Sequence, residues 1–155
     1  MAICRSHVSL VGNGVPHRER VLVIEDDLDI QQTLAQVLDE EGYEVDCASD
    51  GAEALEKLRS GGVKPSAIVL DLWMPGMNGF GFRSAQLASP DTADIPVVVV
   101  TAGGVAPREK ELLGLAYVMH KPVDLEVLLR VVRRLSSTAR TNENRSHASA
   151  ADPHI

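Results

Sequence analysis

The chain has 155 residues, 45% hydrophobic but only 3% aromatic, with a formal net charge of −7. That length suits one domain with tails, large enough to fold on an aliphatic core without staples. The acidic balance argues against direct nucleic-acid binding, which needs clustered Lys and Arg, and no apolar run reaches the roughly 18 residues of a membrane span.

Residues 1–18 show no clear period, carry Gly12-Asn13-Gly14 and Pro16, and read as a flexible arm without the continuous apolar stretch of a signal peptide. Strand and helix signals then alternate. Arg20-Val21-Leu22-Val23-Ile24-Glu25 is a short apolar run ending in acids, hence a first strand. Ile30, Leu34, Val37 and Leu38 recur at helical spacing, with Asp27 or Asp29 near the N-cap and Gly42 as a stop. Tyr43–Ala48 alternates, as a half-buried strand does. Cys47 within it reads as a small core residue; with Cys4 it makes two cysteines, too few for a disulfide framework, and the expected setting is reduced and cytoplasmic.

A second helix is expected over Ala52–Ser60, stopped by Gly61-Gly62, and a third strand over Ser66–Leu72. Helix three is expected over Phe80–Ala88, with a weaker pattern interrupted by Gly81. Ile95–Thr101 is the most apolar strand. Pro107 opens a short helix that Gly114 closes. Ala116–Met119 is a fifth strand, and Asp124 caps a last helix with Leu125, Leu128, Leu129, Val132 and Leu135 on one face. The polar remainder, 137–155, is expected to be a disordered tail.

Five βα units in succession predict an α/β fold with a parallel sheet covered on both faces. The continuously apolar strands belong at its centre and the alternating second strand at an edge, which favours the order 2-1-3-4-5. The chain then reverses direction between strands one and three, and ligands in such sheets bind beyond the strand carboxyl ends at that point.

Glu25, Asp26 and Asp71 fall there. Two unit charges about 4 Å apart, at an effective dielectric near 20, repel by about 4 kcal/mol. Lys121, after strand five, offsets one of the three negative charges, and a divalent cation would neutralise the rest. Oxygen ligands with open positions suit Mg²⁺ or Mn²⁺. A cation there would let a phosphoryl group approach Asp71, whose carboxylate could attack in line while Lys121 and the Thr101 hydroxyl take up charge on its oxygens. Thr101 is followed by Ala102-Gly103-Gly104, small residues that leave room beside a phosphate. For one aspartate at a strand end, a helix cap is the commoner role; for this set at matched strand ends it is not.

The set Glu25-Asp26, Asp71-Leu72-Trp73-Met74-Pro75-Gly76-Met77-Asn78-Gly79, Thr101-Ala102 and Lys121-Pro122 resembles the receiver domains of bacterial two-component response regulators, over residues 19–136. The resemblance implies a flavodoxin-like doubly wound (βα)5 fold and a phosphoacceptor at Asp71. The donor would be a sensor histidine kinase or phosphotransfer protein, and a downstream effector would read the result. It implies Mg²⁺ on Asp26, Asp71 and the Trp73 carbonyl, with Glu25 acting through water. It also implies a cis Lys121-Pro122 bond and a Thr101 that moves toward the phosphoryl group. No enzymatic turnover is expected beyond the domain's own phosphorylation and dephosphorylation. The residues after Leu135 are too few for an output domain, so a stand-alone receiver is expected, or one cut from a longer chain.

Two features depart from the family pattern. Val118 stands where an aromatic is usual, with Tyr117 one residue away on the other face, and helix four looks short. Trp73 is bulky beside Asp71 and is expected to screen an acyl phosphate from water. Rival readings are a phosphorylation-independent pseudo-receiver and an aspartate-nucleophile hydrolase. The second needs another Asp two residues after the nucleophile, where Trp73 stands.

Overall fold

The computed structural model describes residues 18–60, 62 and 64–149. Its strands are β1 (Arg20–Ile24), β2 (Glu44–Ala48), β3 (Ala67–Leu70), β4 (Val97–Thr101) and β5 (Tyr117–His120). They alternate with helices α1 (Leu28–Glu40), α2 (Gly51–Ser60), α3 (Gly79–Ala88), α4 (Pro107–Leu112) and α5 (Leu125–Ser149). The sheet is parallel throughout, in the order β2-β1-β3-β4-β5, the arrangement that the apolar patterning predicts.

Every residue of β1, β3 and β4 is buried, because each strand supplies side chains to two apolar layers. One layer joins Val21, Val23, Val69, Val98 and Val100 to Leu34, Ala35 and Leu38 of α1 and Leu128, Val132 and Leu135 of α5. The other joins Leu22, Ile24, Ile68, Leu70 and Val99 to Ala54 of α2 and Phe82 of α3. Between α3 and α4 lies a buried polar link: Arg83 donates to Gln86 Oε1 at 2.7 Å and to the Leu113 carbonyl at 3.0 Å. Burial lowers the pKa of that guanidinium.

Helix starts follow their caps. Asp27 accepts from the backbone N–H groups of Asp29 and Ile30, at 3.0 and 3.1 Å, so it is a cap and Asp26 is left for the site. Asn78 caps α3 through Gly81 N–H at 3.0 Å. After α1, Gly42 follows the C-cap Glu41 with a φ of 98°, in the left-handed region that stops the helix.

Two expectations are corrected. A tail without structure was expected from residue 137, yet α5 continues to Ser149. No Gly or Pro interrupts residues 125–149, and adding residues to a formed helix costs little. Ser137, Thr138 and Thr141 turn their hydroxyls back onto carbonyls four residues earlier, and Arg140 pairs with Glu19 at 2.6 Å. Residues 150–155 lie outside the described residues, as do 1–17 of the expected arm. Arg18, the last residue of that arm, is tied to the Gly42 and Asp39 carbonyls at 2.9 and 3.0 Å. Cys47 is buried, as expected of a small core residue.

Replacing Asp27 with Ala should cost about 1 kcal/mol of stability, the usual worth of an N-cap, measured by urea denaturation. Divalent-cation binding should remain; its loss would place Asp27 in the site.

Candidate functional site

Strand register builds the site. Ile24 pairs with Leu70, so the residues that follow, Glu25 and Asp71, emerge side by side at the carboxyl edge where the chain reverses direction. Backbone bonds hold them: Glu25 N–H donates to the Ala48 carbonyl at 3.0 Å and Asp71 N–H to the Ile24 carbonyl at 2.9 Å. Thr101 pairs with His120, which brings Lys121 to the same edge, its N–H on the Thr101 carbonyl at 2.9 Å. The Lys121-Pro122 bond is cis, as the resemblance implies.

Carboxylate oxygens of Glu25, Asp26 and Asp71 lie within 4.8 Å of one another and could hold a metal ion. Glu25 and Asp71 are 2% and 4% exposed, and Asp26 faces solvent. Lys121 Nζ bridges the buried pair, 2.7 Å from Glu25 Oε2 and 3.4 Å from Asp71 Oδ2. Burial pushes the Glu25 carboxyl above its ordinary value; the Lys121 bond opposes this and the nearby Asp71 charge adds to it. For Lys121, burial works against the charged form, but the bond and field of Glu25 and the charge of Asp71 outweigh it and raise the ammonium pKa. Burial, more than the neighbouring charge, makes this carboxyl resist ionisation, while three acids facing one ammonium leave a negative surplus. An oxygen-only donor set carrying that surplus fits a hard divalent cation.

Every predicted acid and Lys121 are brought together. Thr101 is fully buried at the end of β4, and its hydroxyl accepts from Gly103 N–H at 3.3 Å. No hydrogen bond joins it to the carboxylates among the described residues.

Trp73 donates its backbone N–H to Asp71 Oδ1 at 3.2 Å, while its side chain, 55% exposed, meets Phe80 edge-on at 5.3 Å between ring centroids. A Cβ at Gly103 would stand 2.3 Å from Trp73 Nε1. The small residue at 103 therefore makes room for the indole, not only for a phosphate as expected.

Gln31 escaped the sequence reading, and Gly79 entered it only as part of the motif after Asp71. Gln31 is buried and donates to the carbonyls of Glu25 and Ala48 at 2.9 and 3.1 Å, clamping β1 to β2 beside the site. Gly79 lets α3 approach the end of β3, since a Cβ there would lie 2.3 Å from the Asp71 carbonyl oxygen. An apolar helix face interrupted by Gln31 and the Asn78-Gly79 helix start were the available signals.

The departures are as expected. Tyr117 packs in the layer with α1 and α5, and Val118 in the opposite one. Helix α4 has six residues.

The family model described as "Response regulator receiver domain" matches residues 21–133. Response regulator MprA of Mycobacterium ulcerans (strain Agy99) is 34% identical over 134 residues, covering 85% of this chain and 56% of the relative. MprA of Mycobacterium avium (strain 104) is 36% identical over 118 residues, covering 75% and 50%. The chain thus spans about half the length of the curated relatives it matches. Among solved structures, the chemotaxis response regulator CheY4 of Vibrio cholerae aligns with a TM-score of 0.69 at 30% identity, covering 77% of this chain and 99% of that one. The signal receiver domain of a signal transduction histidine kinase from Syntrophus aciditrophicus gives the same TM-score and identity, covering 77% and 91%. The chain belongs to the response regulator receiver domain family of two-component systems. No helix among the described residues is long and apolar enough to cross a membrane.

A carboxyl whose pKa is raised by folding binds protons more tightly folded than unfolded. Its ionisation therefore removes stability as pH rises from the ordinary value of 4.5 through the raised one. Glu25→Gln should abolish that loss and raise the melting temperature of the metal-free protein at neutral pH, while weakening Mg²⁺ binding. Thermal unfolding across that pH range, with and without Mg²⁺, checks both signs.

Proposed function

We propose that Asp71 is the phosphoacceptor of this receiver, taking a phosphoryl group from a phosphohistidine of a sensor histidine kinase or phosphotransfer protein. The observation that carries the reading is the Lys121 ammonium lodged between two buried carboxylates, 2.7 Å from Glu25 and 3.4 Å from Asp71. A cation so held neutralises the nucleophile's surroundings at rest and can turn to a phosphoryl oxygen on arrival. One Asp71 oxygen forms the O–P bond as the P–N bond breaks, and the imidazole nitrogen leaves with the bonding pair. Lys121 and the Thr101 hydroxyl then meet the phosphoryl oxygens.

Asp26 and Asp71, with the Trp73 carbonyl, would hold Mg²⁺, or Mn²⁺ in its place, with Glu25 reaching it through water. The ion would offset the repulsion between the carboxylates and the incoming phosphate. The protein is a switch rather than an enzyme with turnover: nothing in the site offers a second acid at position 73 to expel product. A downstream protein reads the phosphorylated state, and a cytoplasmic location goes with the donor. Neither direct nucleic-acid contact nor a membrane anchor is part of this reading, which concerns the receiver alone.

Incubation with acetyl phosphate and Mg²⁺ should add the mass of one phosphoryl group, labile to base and absent in Asp71→Asn. No adduct from acetyl phosphate or from a phosphorylated kinase would leave a phosphorylation-independent interaction module, and sustained phosphate release would mark a hydrolase. Trp73→Ala should shorten the adduct's half-life several-fold by admitting water; an unchanged half-life removes the screening role expected of that side chain.

A further inference from the structure

The aromatic side chain that reaches the segment after β4 comes from the β3–α3 loop. Trp73 touches three parts of the molecule at once. Its backbone N–H holds Asp71 Oδ1 at 3.2 Å. Its ring lies where a side chain on Gly103 would be, with Nε1, Cδ1 and Cε2 at 2.3, 2.7 and 3.0 Å from a Cβ built there. Its ring also rests on Phe80 at the start of α3, in an edge-to-face contact at 75°. Gly103 in turn donates its N–H to Thr101 Oγ1 at 3.3 Å. Val118, on β5, is half-buried and lacks the reach of an aromatic ring, and Tyr117 belongs to the opposite apolar layer.

We propose that the Trp73 indole is the side chain through which the state of Asp71 is reported, as a positioning residue that locks the β3–α3 loop to the Thr101–Gly103 segment and shifts when that lock is released. The inference rests on the phosphoacceptor reading of Asp71 and goes beyond it by assigning the readout. Two changes converge on the ring. Thr101 makes no hydrogen bond to the carboxylates among the described residues, and a shift of its side chain toward a phosphoryl oxygen would carry Oγ1 away from Gly103 N–H. Converting Asp71 to an acyl phosphate also weakens that carboxylate as the acceptor of Trp73 N–H. A close-packed contact cannot absorb a displacement of Gly103 without moving the ring against it. Because the indole is 55% exposed, its movement alters the outer surface beside α3, where a partner with an aromatic-accepting pocket could read it. A plain surface plug, filling the space at Gly103 and nothing more, would leave the ring in place on phosphorylation.

The chain has one tryptophan, so its fluorescence isolates this residue. The full chain is compared with Mg²⁺ alone and with Mg²⁺ plus acetyl phosphate, the adduct being counted by intact mass in the same samples. The expected result is a change in emission and in acrylamide quenching that scales with the adduct, beyond the effect of Mg²⁺. In Gly103→Ala, the new methyl group displaces the ring; the unphosphorylated protein should already show higher quenching, and the further change on adduct formation should be largely lost. In Thr101→Ala, compared at equal adduct, most of the change should also be lost. Full adduct in the parent protein with no change beyond Mg²⁺ overturns the proposal, as does a full change in both variants. Absence of any adduct overturns the phosphoacceptor reading as well, and the mass spectrum separates that outcome from the others.

Discussion

One ammonium group, that of Lys121, makes the buried carboxylate pair tolerable. Glu25 and Asp71 emerge from adjacent strands into a space where water is scarce, and their mutual repulsion opposes folding. Lys121 reaches both from the far side of β4, at 2.7 and 3.4 Å, so two attractions stand against one repulsion. Removing such a partner typically costs about 3–5 kcal/mol, because the remaining charges are left buried and unpaired. Burial still holds the Glu25 pKa above its ordinary value with Lys121 in place, and one ammonium against three acids leaves a negative surplus. A site already neutral would have little affinity for a divalent cation.

That geometry rests on sheet register rather than on any local motif. Ile24 opposite Leu70 sets the acids side by side, and Thr101 opposite His120 brings Lys121 level with the β4 carboxyl end. A slip of one residue would turn every side chain to the opposite face. The two apolar layers prevent the slip, since β1, β3 and β4 are packed on both sides. Gln31 and Gly79 then tie the flanking helices to the strand ends, one through hydrogen bonds to two carbonyls and one by close backbone approach.

Much of this was legible in the chain. Continuous apolar runs that end in Glu25-Asp26, Asp71 and Thr101 state both the layer structure and the edge on which the polar groups gather. Asp27 was one of two acids expected near the first N-cap, and it is the one that accepts the helix's first N–H groups. Less legible were features that depend on where distant segments meet. The Ser, Thr and Asn content of residues 137–149 suggested a tail, because composition does not show that a helix already anchored by Leu128, Val132 and Leu135 continues cheaply through residues that form helix poorly alone. The role of Gly103 was hidden for the same reason. Its neighbour in space, Trp73, comes from a different loop, and only the fold brings an indole onto that glycine.

Val118 and Trp73 acquire meaning together. If Asp71 takes the phosphoryl group as proposed, the new bond has to become a difference on the surface, and a rigid aromatic ring is suited to this. With valine on β5, the inner face beside Thr101 offers no ring on that side, and six-residue α4 offers a small lever. On the opposite side, an indole already contacts Gly103, Phe80 and, through its own backbone, Asp71. Glycine at 103 is the condition for that contact: a methyl group would stand 2.3 Å from Nε1, far inside van der Waals distance. The substitution of valine on one side and the tryptophan–glycine contact on the other are therefore consistent with a readout moved across the Thr101 segment, from the β5 side to the β3–α3 loop, while the charge arrangement around Asp71 stays as the family resemblance implies.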